Sequence, residues 1–594
     1  MQRDFHHGLL GPVVRYPLPM GAPAPPVRAD SHVRRVVVAA ATVLVFVFCW
    51  FEKFNDPIGS FNGLSDDHLF YAVRGWQLLF GEWPSRDFVD HGAPLHFALS
   101  AVAQAVLGRG ALAETLLTLT ALALGVAITF RLVVRASGSI GVGLFAVLFQ
   151  MMLGLRLYNY PKILVYALAI GALWSFADRP SWRTRTVVAL VTAFGFLLRH
   201  DHGLYVGLGM LVLLVLLDGT AWRERLGHAA AYGATVVALL APYLLYLQVY
   251  GGIVTHFVTA STWAARDRGR AAFEWPSWTP VDTPVTSPLA WLYDATTVNL
   301  EWAIFYTMAA WPVLALLVLL CSRSALRPDW PHARAKLGAV VVLAAVTSVG
   351  FLRSPLFARF ADVSVPQVIL LGWLLGSALH AARSGLADRP VRWPAVRGVA
   401  AAAAVAALLW TPAVRVAQAA PEVLDRSAML DGPAEFADRV AAIARSQART
   451  WPLENWLDPE APGAMRLALF LHDCTAPTDH VFVSGYLPQA VAMANRPFAG
   501  GHADLRPGFF ATEADQHLTI ARFERQSVPI AVVPRADEYE AYRAAFPLVT
   551  RYFDQRYTWF AERDLGDGVV VGLLVERGTA PTDWHPLVDA PCYP

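Results

Sequence analysis

The sequence predicts an α-helical multi-pass membrane protein of about eleven transmembrane helices, followed by a C-terminal extracytoplasmic α/β domain. Three observations predict it. Of the 594 residues 56% are hydrophobic and only 16% charged, where a soluble protein carries about 25% charged residues. The apolar residues gather into long runs, and mean hydropathy is +0.41. Residues 417–594 lack such runs and alternate strand-like with helical segments. Collagen-like, disordered and disulfide-rich classes are excluded by the same composition. The net charge of +2 is uninformative, because charge matters here by position, and no nucleic-acid partner is expected.

Residues 1–32, with Gly21-Ala-Pro-Ala-Pro-Pro26, cannot build a core and read as a flexible cytoplasmic tail. The run from Val33 to Phe51 lies too deep in the chain, and lacks the small-residue cleavage site, for a removed signal peptide. It is read as the first span of a transmembrane domain covering 33–416. Further runs occupy 111–134, 138–155, 163–177, 186–198, 203–217, 229–250, 302–321, 337–352, 365–380 and 397–414. Some fall short of the ~20 residues an untilted span needs. The connections assigned to one side hold fifteen basic residues and those on the other eight, which sets the N-terminus inside and the tail outside. Only Lys53, Lys162 and Lys336 of the 48 basic residues are lysines. With the alanine-rich runs, this points to a high-GC bacterial genome and hence to the cytoplasmic (inner) membrane.

Three parts then lie outside. The first loop, 52–110, includes Pro94 to Leu107, a fourteen-residue apolar stretch too short to span and read as an interfacial helix. The second, 251–301, carries Trp263, Trp275, Trp278 and Trp291. These either stack on sugar rings or mark the bilayer interface. The third, 417–594, has strand-like runs at Val481–Ser484, Ile530–Val533 and Gly568–Val575 and helical segments at 433–449 and 535–545. Cys474 and Cys592 both fall there, either as a disulfide or as two free thiols.

The densest outer polar cluster is Ser65-Asp66-Asp67-His68, followed by Gly81-Glu82-Trp83-Pro84-Ser85-Arg86-Asp87-Phe88-Val89-Asp90-His91-Gly92-Ala93-Pro94-Leu95. Adjacent carboxylates oppose joint ionisation, which suits one of them to general-base work. Alternatively, Asp66 caps the helix that follows while Asp67 faces water.

This pattern resembles the GT-C superfamily of polytopic glycosyltransferases, whose members include protein mannosyltransferases and aminoarabinose and arabinofuranosyl transferases. The resemblance rests on Asp66-Asp67, on Gly81 to Phe88 with its Arg86-Asp87-Phe88, and on Gly92-Ala-Pro-Leu95, in that order. It implies transfer of a sugar from a polyprenyl-phosphate donor to an acceptor hydroxyl of a lipid, glycan or protein at the outer face, usually with inversion. Asp66 is then the base, Asp67 tunes it or holds the acceptor, and Asp87 is a second acidic candidate, or else an ion-pair partner of Arg86. Asp67 stands where many members have Glu, and no donor-specific signature is present. A divalent metal is compatible with the sequence and is not required by it.

The leaving phosphate calls for cations, and arginine's planar fork matches phosphate oxygens. Candidates at the outer boundary are Lys162 and Arg156, Arg199, Arg353 and Arg359. Arg199-His200-Asp201-His202 interrupts apolar sequence, where ionisable groups are costly. It reads as a phosphate or acceptor site, as a divalent-metal site, or as a polar turn between helices. His68, His91, His200, Asp201 and His202 are therefore site-lining candidates. No G-x-x-x-x-G-K-[ST] or G-x-S-x-G motif is present. The competing class is a transporter or flippase of lipid-linked saccharides. Such proteins place ionisable groups at the bilayer midplane on repeated spans, a pattern this sequence lacks.

Overall fold

Peptide groups find no water in an apolar medium, so long apolar runs satisfy their backbone within helices. The computed structural model describes residues 28–55, 66–266, 274–281, 287–321, 330–353, 356–387, 394–448 and 462–593. Contacts divide the chain into Met1–Ala41, whose described part is the first half of one helix, and Thr42–Pro594. Everything below concerns the second unit.

The helical body comprises α1 (Arg28–Asn55), α2 (Asp66–Leu79), α3 (Pro94–Leu107), α4 (Ala111–Ser137), α5 (Ile140–Met152), α6 (Tyr160–Asp178), α7 (Trp182–Leu198), α8 (His200–Leu216), α9 (Trp222–Val249), α10 (Ile253–Arg266), α11 (Pro288–Val298), α12 (Leu300–Cys321), α13 (Ala333–Arg353), α14 (Ser364–Ala387) and α15 (Pro394–Arg426). Among the described residues eight helices are long and apolar enough to cross a membrane. The eleven expected spans each meet a helix, but the runs at 138–155, 186–198 and 203–217 form α5, α7 and α8, of 13, 17 and 17 residues. At 1.5 Å per residue these fall short of a perpendicular crossing.

α4 is the central helix, packing on α5, α6 and α14. Small residues let it approach closely. A Cβ on Gly125 would lie 2.9 Å from Ile163 of α6, and one on Gly376 of α14 would lie 2.6 Å from the Ser137 backbone. The turns are cut by local chemistry. Gly138 takes a left-handed φ of 78° and closes α4 through its N–H on the Val134 carbonyl, and Ser139 caps α5 by accepting the Val142 N–H. At one end Asp178 of α6 gathers Arg135 of α4 and Lys336 of α13, the latter at 2.5 Å.

α3 coincides with the expected fourteen-residue helix, and its faces are inverted relative to a soluble protein. It buries His96, Ser100 and Gln104 and exposes Val102, Val106 and Leu107. Polar side chains turned inward and apolar ones outward suit lipid surroundings. Trp275 packs on Phe305, and Trp278 on Trp302, of α12. This is the aromatic clustering of an interface belt. Trp263 has its side chain outside the described residues.

The C-terminal part contains α16 (Pro433–Ala448), α17 (Pro462–Asp473), β1 (Phe482–Val483), α18 (Pro488–Ala494), α19 (Glu513–Phe523), β2 (Ile530–Pro534), α20 (Ala536–Ala545), α21 (Pro547–Arg556), β3 (Tyr557–Asp564), β4 (Val570–Glu576), β5 (Asp583–His585) and β6 (Ala590–Cys592). The sheet order is β1-β2-β4-β3, with β1 parallel to β2 and the other pairs antiparallel. Phe482, Phe523, Phe553, Tyr542 and Tyr557 fill its core. The boundary expected at 416/417 falls inside α15, which runs on to Arg426. β3 escapes a search for apolar runs because most of its residues are partly or fully exposed. Cys474 and Cys592 are joined in a disulfide across 118 residues.

Closing a loop of that length is worth about 4 kcal/mol through the unfolded chain. Cys474→Ser, or reductant, is expected to lower the denaturation midpoint of the C-terminal domain accordingly. Identical midpoints with and without reductant would contradict the bond.

Candidate functional site

The first loop is bolted to the C-terminal domain by side chains hundreds of residues apart. Gln77 of α2 pairs with both backbone groups of Phe498, at 3.0 and 3.2 Å. Glu82 accepts from His480 at 2.6 Å, and Val89 donates its N–H to Gly501. Arg74, 1% exposed, lies under this seam. Its guanidinium donates to the Phe70 carbonyl, contacts His91 at 2.9 Å and reaches Asp504 at 3.5 Å. Asp504 also binds Arg506 at 3.0 Å. One carboxylate thus serves two guanidiniums, as a buried cation requires.

The loop then turns into α3 around Asp90. One carboxylate oxygen accepts the N–H groups of Gly92 (2.7 Å) and Ala93 (3.1 Å), and the other accepts Tyr243 of α9 at 3.1 Å. The Tyr243 hydroxyl also meets His200 (3.1 Å) and His256 (3.4 Å). Gly92, at φ 89°, is pressed on the His200 ring, where a Cβ would lie 2.6 Å from Nδ1. The start of α8 is thereby locked to the start of α3.

Beside this clasp two ion pairs line an opening. The chain breaks at Arg199, an extended residue (φ −168°) between α7 and α8. Its guanidinium grips Asp201 with two hydrogen bonds of 2.7 and 2.6 Å. Lys162, in the first turn of α6, binds Asp362 at 2.5 Å, and Asp362 is held by Asn159 at 2.6 Å. Lys162 and Arg199 are close enough to act on one another electrostatically, and Arg199 feels Tyr71 of α2 and Tyr166 of α6. The side chains of Arg199 and Asp201 are 40% and 35% exposed, whereas Tyr160, Tyr166 and His202 around them are almost wholly buried. The ion pair therefore faces an opening. Lysine offers three N–H donors and arginine five, so both keep donors unspent.

Among the sequence-derived candidates, the structure brings together Lys162, Arg199, Asp201 and His202. His200 belongs to the Asp90 clasp and His91 to Arg74. His68 is buried against Glu114 at 3.0 Å. Arg359 donates to the Gly350 carbonyl at the end of α13, and Arg156 is exposed. Asp87 accepts the Trp83 N–H at 2.8 Å and Arg86 at 2.6 Å, so its carboxylate fastens the turn before Phe88. Asp66 and Asp67 open α2, with Tyr71 one helical turn after Asp67; their side chains, and that of Arg353, lie outside the described residues. The metal reading of the tetrad fails locally, since Arg199 holds Asp201, Tyr166 holds His202 at 2.8 Å and Tyr243 holds His200. Among the described residues no three His, Cys, Asp or Glu side chains converge as a metal site. Sequence reasoning missed Asp362, Asp90, Tyr243 and Arg74. A lone acid after Arg359 and a lone arginine inside α2 were the available signals.

Burial, with Arg74 beside it, holds His91 well below its ordinary value of 6.5, and burial with Arg522 does the same to His502. Both rings are neutral in the fold, whereas the unfolded chain takes up protons near pH 6.5. Stability is therefore full above that pH and falls below it, by up to about 1.4 kcal/mol per pH unit for each ring. Thermal unfolding between pH 7.5 and 5 is expected to shift downward, and a His91→Gln, His502→Gln double variant is expected to flatten the curve. A wild-type midpoint unchanged across that range would overturn this assignment.

No protein-family description matches the chain, and no curated protein matches it. A crystal structure of ArnT from Cupriavidus metallidurans bound to undecaprenyl phosphate aligns over 93% of this chain and 99% of that one, at 14% identity and a TM-score of 0.48. The apo state of the same protein aligns over 92% and 98%, at 13% identity and a TM-score of 0.46. At that identity the similarity gives no residue of this chain a role. ArnT is a GT-C glycosyltransferase, a member of the superfamily that the first loop of this chain resembles.

Proposed function

We propose that the protein is a membrane glycosyltransferase that moves a sugar from a polyprenyl-phosphate donor to an acceptor hydroxyl at the outer face of the bacterial cytoplasmic membrane. The observation that carries this reading is the meeting of Lys162 and Arg199, from separate helices, at one opening near the first turns of α2, which Asp66 and Asp67 begin. A phosphate needs fixed donors in a partly dry site, and an attacking hydroxyl needs a base close to them. The donor class is the one implied by the first-loop resemblance.

In this mechanism the donor's lipid enters from between the helices and its phosphate exchanges onto the unspent N–H groups of Lys162 and Arg199. Asp66 takes the proton of the acceptor hydroxyl as its oxygen attacks the anomeric carbon. The bond from that carbon to the phosphate oxygen breaks, and the carrier phosphate departs with the electron pair. Attack opposite the leaving group inverts the anomeric centre. The N-terminus is cytoplasmic and the C-terminal domain stands over the site.

Purified protein offered a panel of polyprenyl-phosphate sugars, with and without chelator, is expected to transfer one of them. Asp66→Asn should lose at least about 10²-fold in kcat while expression and insertion are unchanged; a fully active variant would sink the mechanism. Asp87→Asn keeps an acceptor for the Trp83 N–H and should retain most activity. Arg199→Gln should raise the donor KM by about tenfold, the loss of one charge-assisted contact. Lipid-linked saccharide moved across vesicles without any transfer would favour a flippase instead.

A further inference from the structure

Behind the first turns of α2 the structure buries a second polar group that no phosphate or hydroxyl contact accounts for. His68, wholly buried, turns its Nε2 to Glu114 of α4 at 3.0 Å. Glu114 is fixed by the Ser100 hydroxyl at 2.7 Å and by Gln104 at 3.4 Å, both from α3. The other ring nitrogen, Nδ1, is buried without a hydrogen-bond partner. A histidine oriented by a carboxylate through one nitrogen, with the other open, is arranged to take a proton, because the imidazolium that forms is stabilised from behind.

Two more unpartnered atoms lie on the same side. The His96 ring is 6.5 Å from that of His68, a spacing that one bridging water spans, and its Nε2 has no partner. His96 stacks on Tyr71 at 4.6 Å and meets the edge of Tyr160 at 5.1 Å. The buried Tyr160 hydroxyl is likewise unpartnered. Each such atom costs about 1–3 kcal/mol if it does nothing. Three of them on α2, α3 and α6 form a row from the turn that Asp66 and Asp67 open to Tyr160, two residues before Lys162. The ionisable groups facing His68 from the packed helices are Glu114, His96, Tyr71 and Tyr160.

We propose that His68, His96 and Tyr160 form an internal proton path from the acidic pair to the phosphate cations. This rests on the glycosyl-transfer reading and adds where the proton goes. The acceptor O–H bond breaks and its proton passes to the Asp66 carboxylate, then to His68 Nδ1, giving an imidazolium held by Glu114. His96 and the Tyr160 hydroxyl hand it on to the carrier phosphate beside Lys162. The donor phosphodiester carries one negative charge. The released phosphomonoester, with a second pKa near 6, takes up the proton and leaves with the same charge. Transfer then completes without exchanging a proton with the outer solution. His68, His96 and Tyr160 act through the acidic pair and are positioning residues.

The test measures kcat and KM against pH for purified wild type, Tyr160→Phe and His68→Gln, in light and heavy water. Tyr160→Phe removes an unpartnered hydroxyl and leaves packing intact, so a purely structural tyrosine predicts equal or higher stability and unchanged activity. The path predicts a kcat about tenfold lower near pH 7, an unchanged donor KM, and recovery toward pH 9, where hydroxide and buffer remove the proton. It also predicts that the wild-type solvent isotope effect on kcat changes in both variants. Unchanged kcat in Tyr160→Phe, or a loss equal at every pH, overturns the path. If His68→Gln does not fold, Tyr160→Phe decides alone. A wild type that transfers none of the polyprenyl-phosphate sugars overturns the transfer reading itself, an outcome distinct from an active Tyr160→Phe.

Discussion

A charge buried among apolar helices is costly unless an opposite charge meets it, and this constraint sets where the molecule puts its polar groups. Arg135 and Lys336 share Asp178 at one end of the bundle. Arg199 with Asp201, Lys162 with Asp362 and Arg74 with Asp504 occupy the other. The helix centres between them are left to apolar contacts such as Gly125 on Ile163. Packing there depends on small residues and close approach, because lipid offers no hydrophobic drive for helices to associate.

The same constraint joins the bundle to its soluble part. Arg74 sits on a helix that faces the C-terminal domain, and its counter-charge, Asp504, comes from that domain. Gln77, Glu82 and Val89 add hydrogen bonds to Phe498, His480 and Gly501. Helix α2 is therefore held from behind by a folded α/β domain and from the side by α3. A catalytic carboxylate at its first turn gains from that rigidity, since positioning of reacting groups lowers a barrier only where the support does not yield.

How much of this was legible in the sequence depends on the distance over which each contact is made. Helices, and the bounds of α3 at Pro94 and Leu107, follow from local apolar runs. Lys162 and Arg199 stood out because they interrupt such runs. Asp87 and Arg86, adjacent in the chain, were readable as an ion pair. Asp362 is 200 residues from Lys162, Asp504 is 430 from Arg74, and His480 is 398 from Glu82. No local period encodes those meetings, since they arise only when α14 and the C-terminal domain close over the first loop. β3 went unread for another reason, since Glu562 and Arg563 face outward and its burial pattern is nearly that of a loop.

The paired cations also explain why such a site can stay empty without collapsing and still bind an anion. Lys162 and Arg199 each rest on a carboxylate, so the opening is close to neutral before a ligand arrives. An incoming phosphate adds donors' bonds without first stripping water from a naked charge, because the carboxylates have already displaced much of it. Asp201 and Asp362 then face a second anion, and their repulsion opposes tight retention of the product. Binding strong enough to orient a phosphate, and weak enough to release it, follows from leaving both cations half-satisfied. Replacing either carboxylate by a neutral group would strengthen the hold on phosphate and slow its departure, which is why a bare pair of cations would make a poorer site for turnover than these two ion pairs.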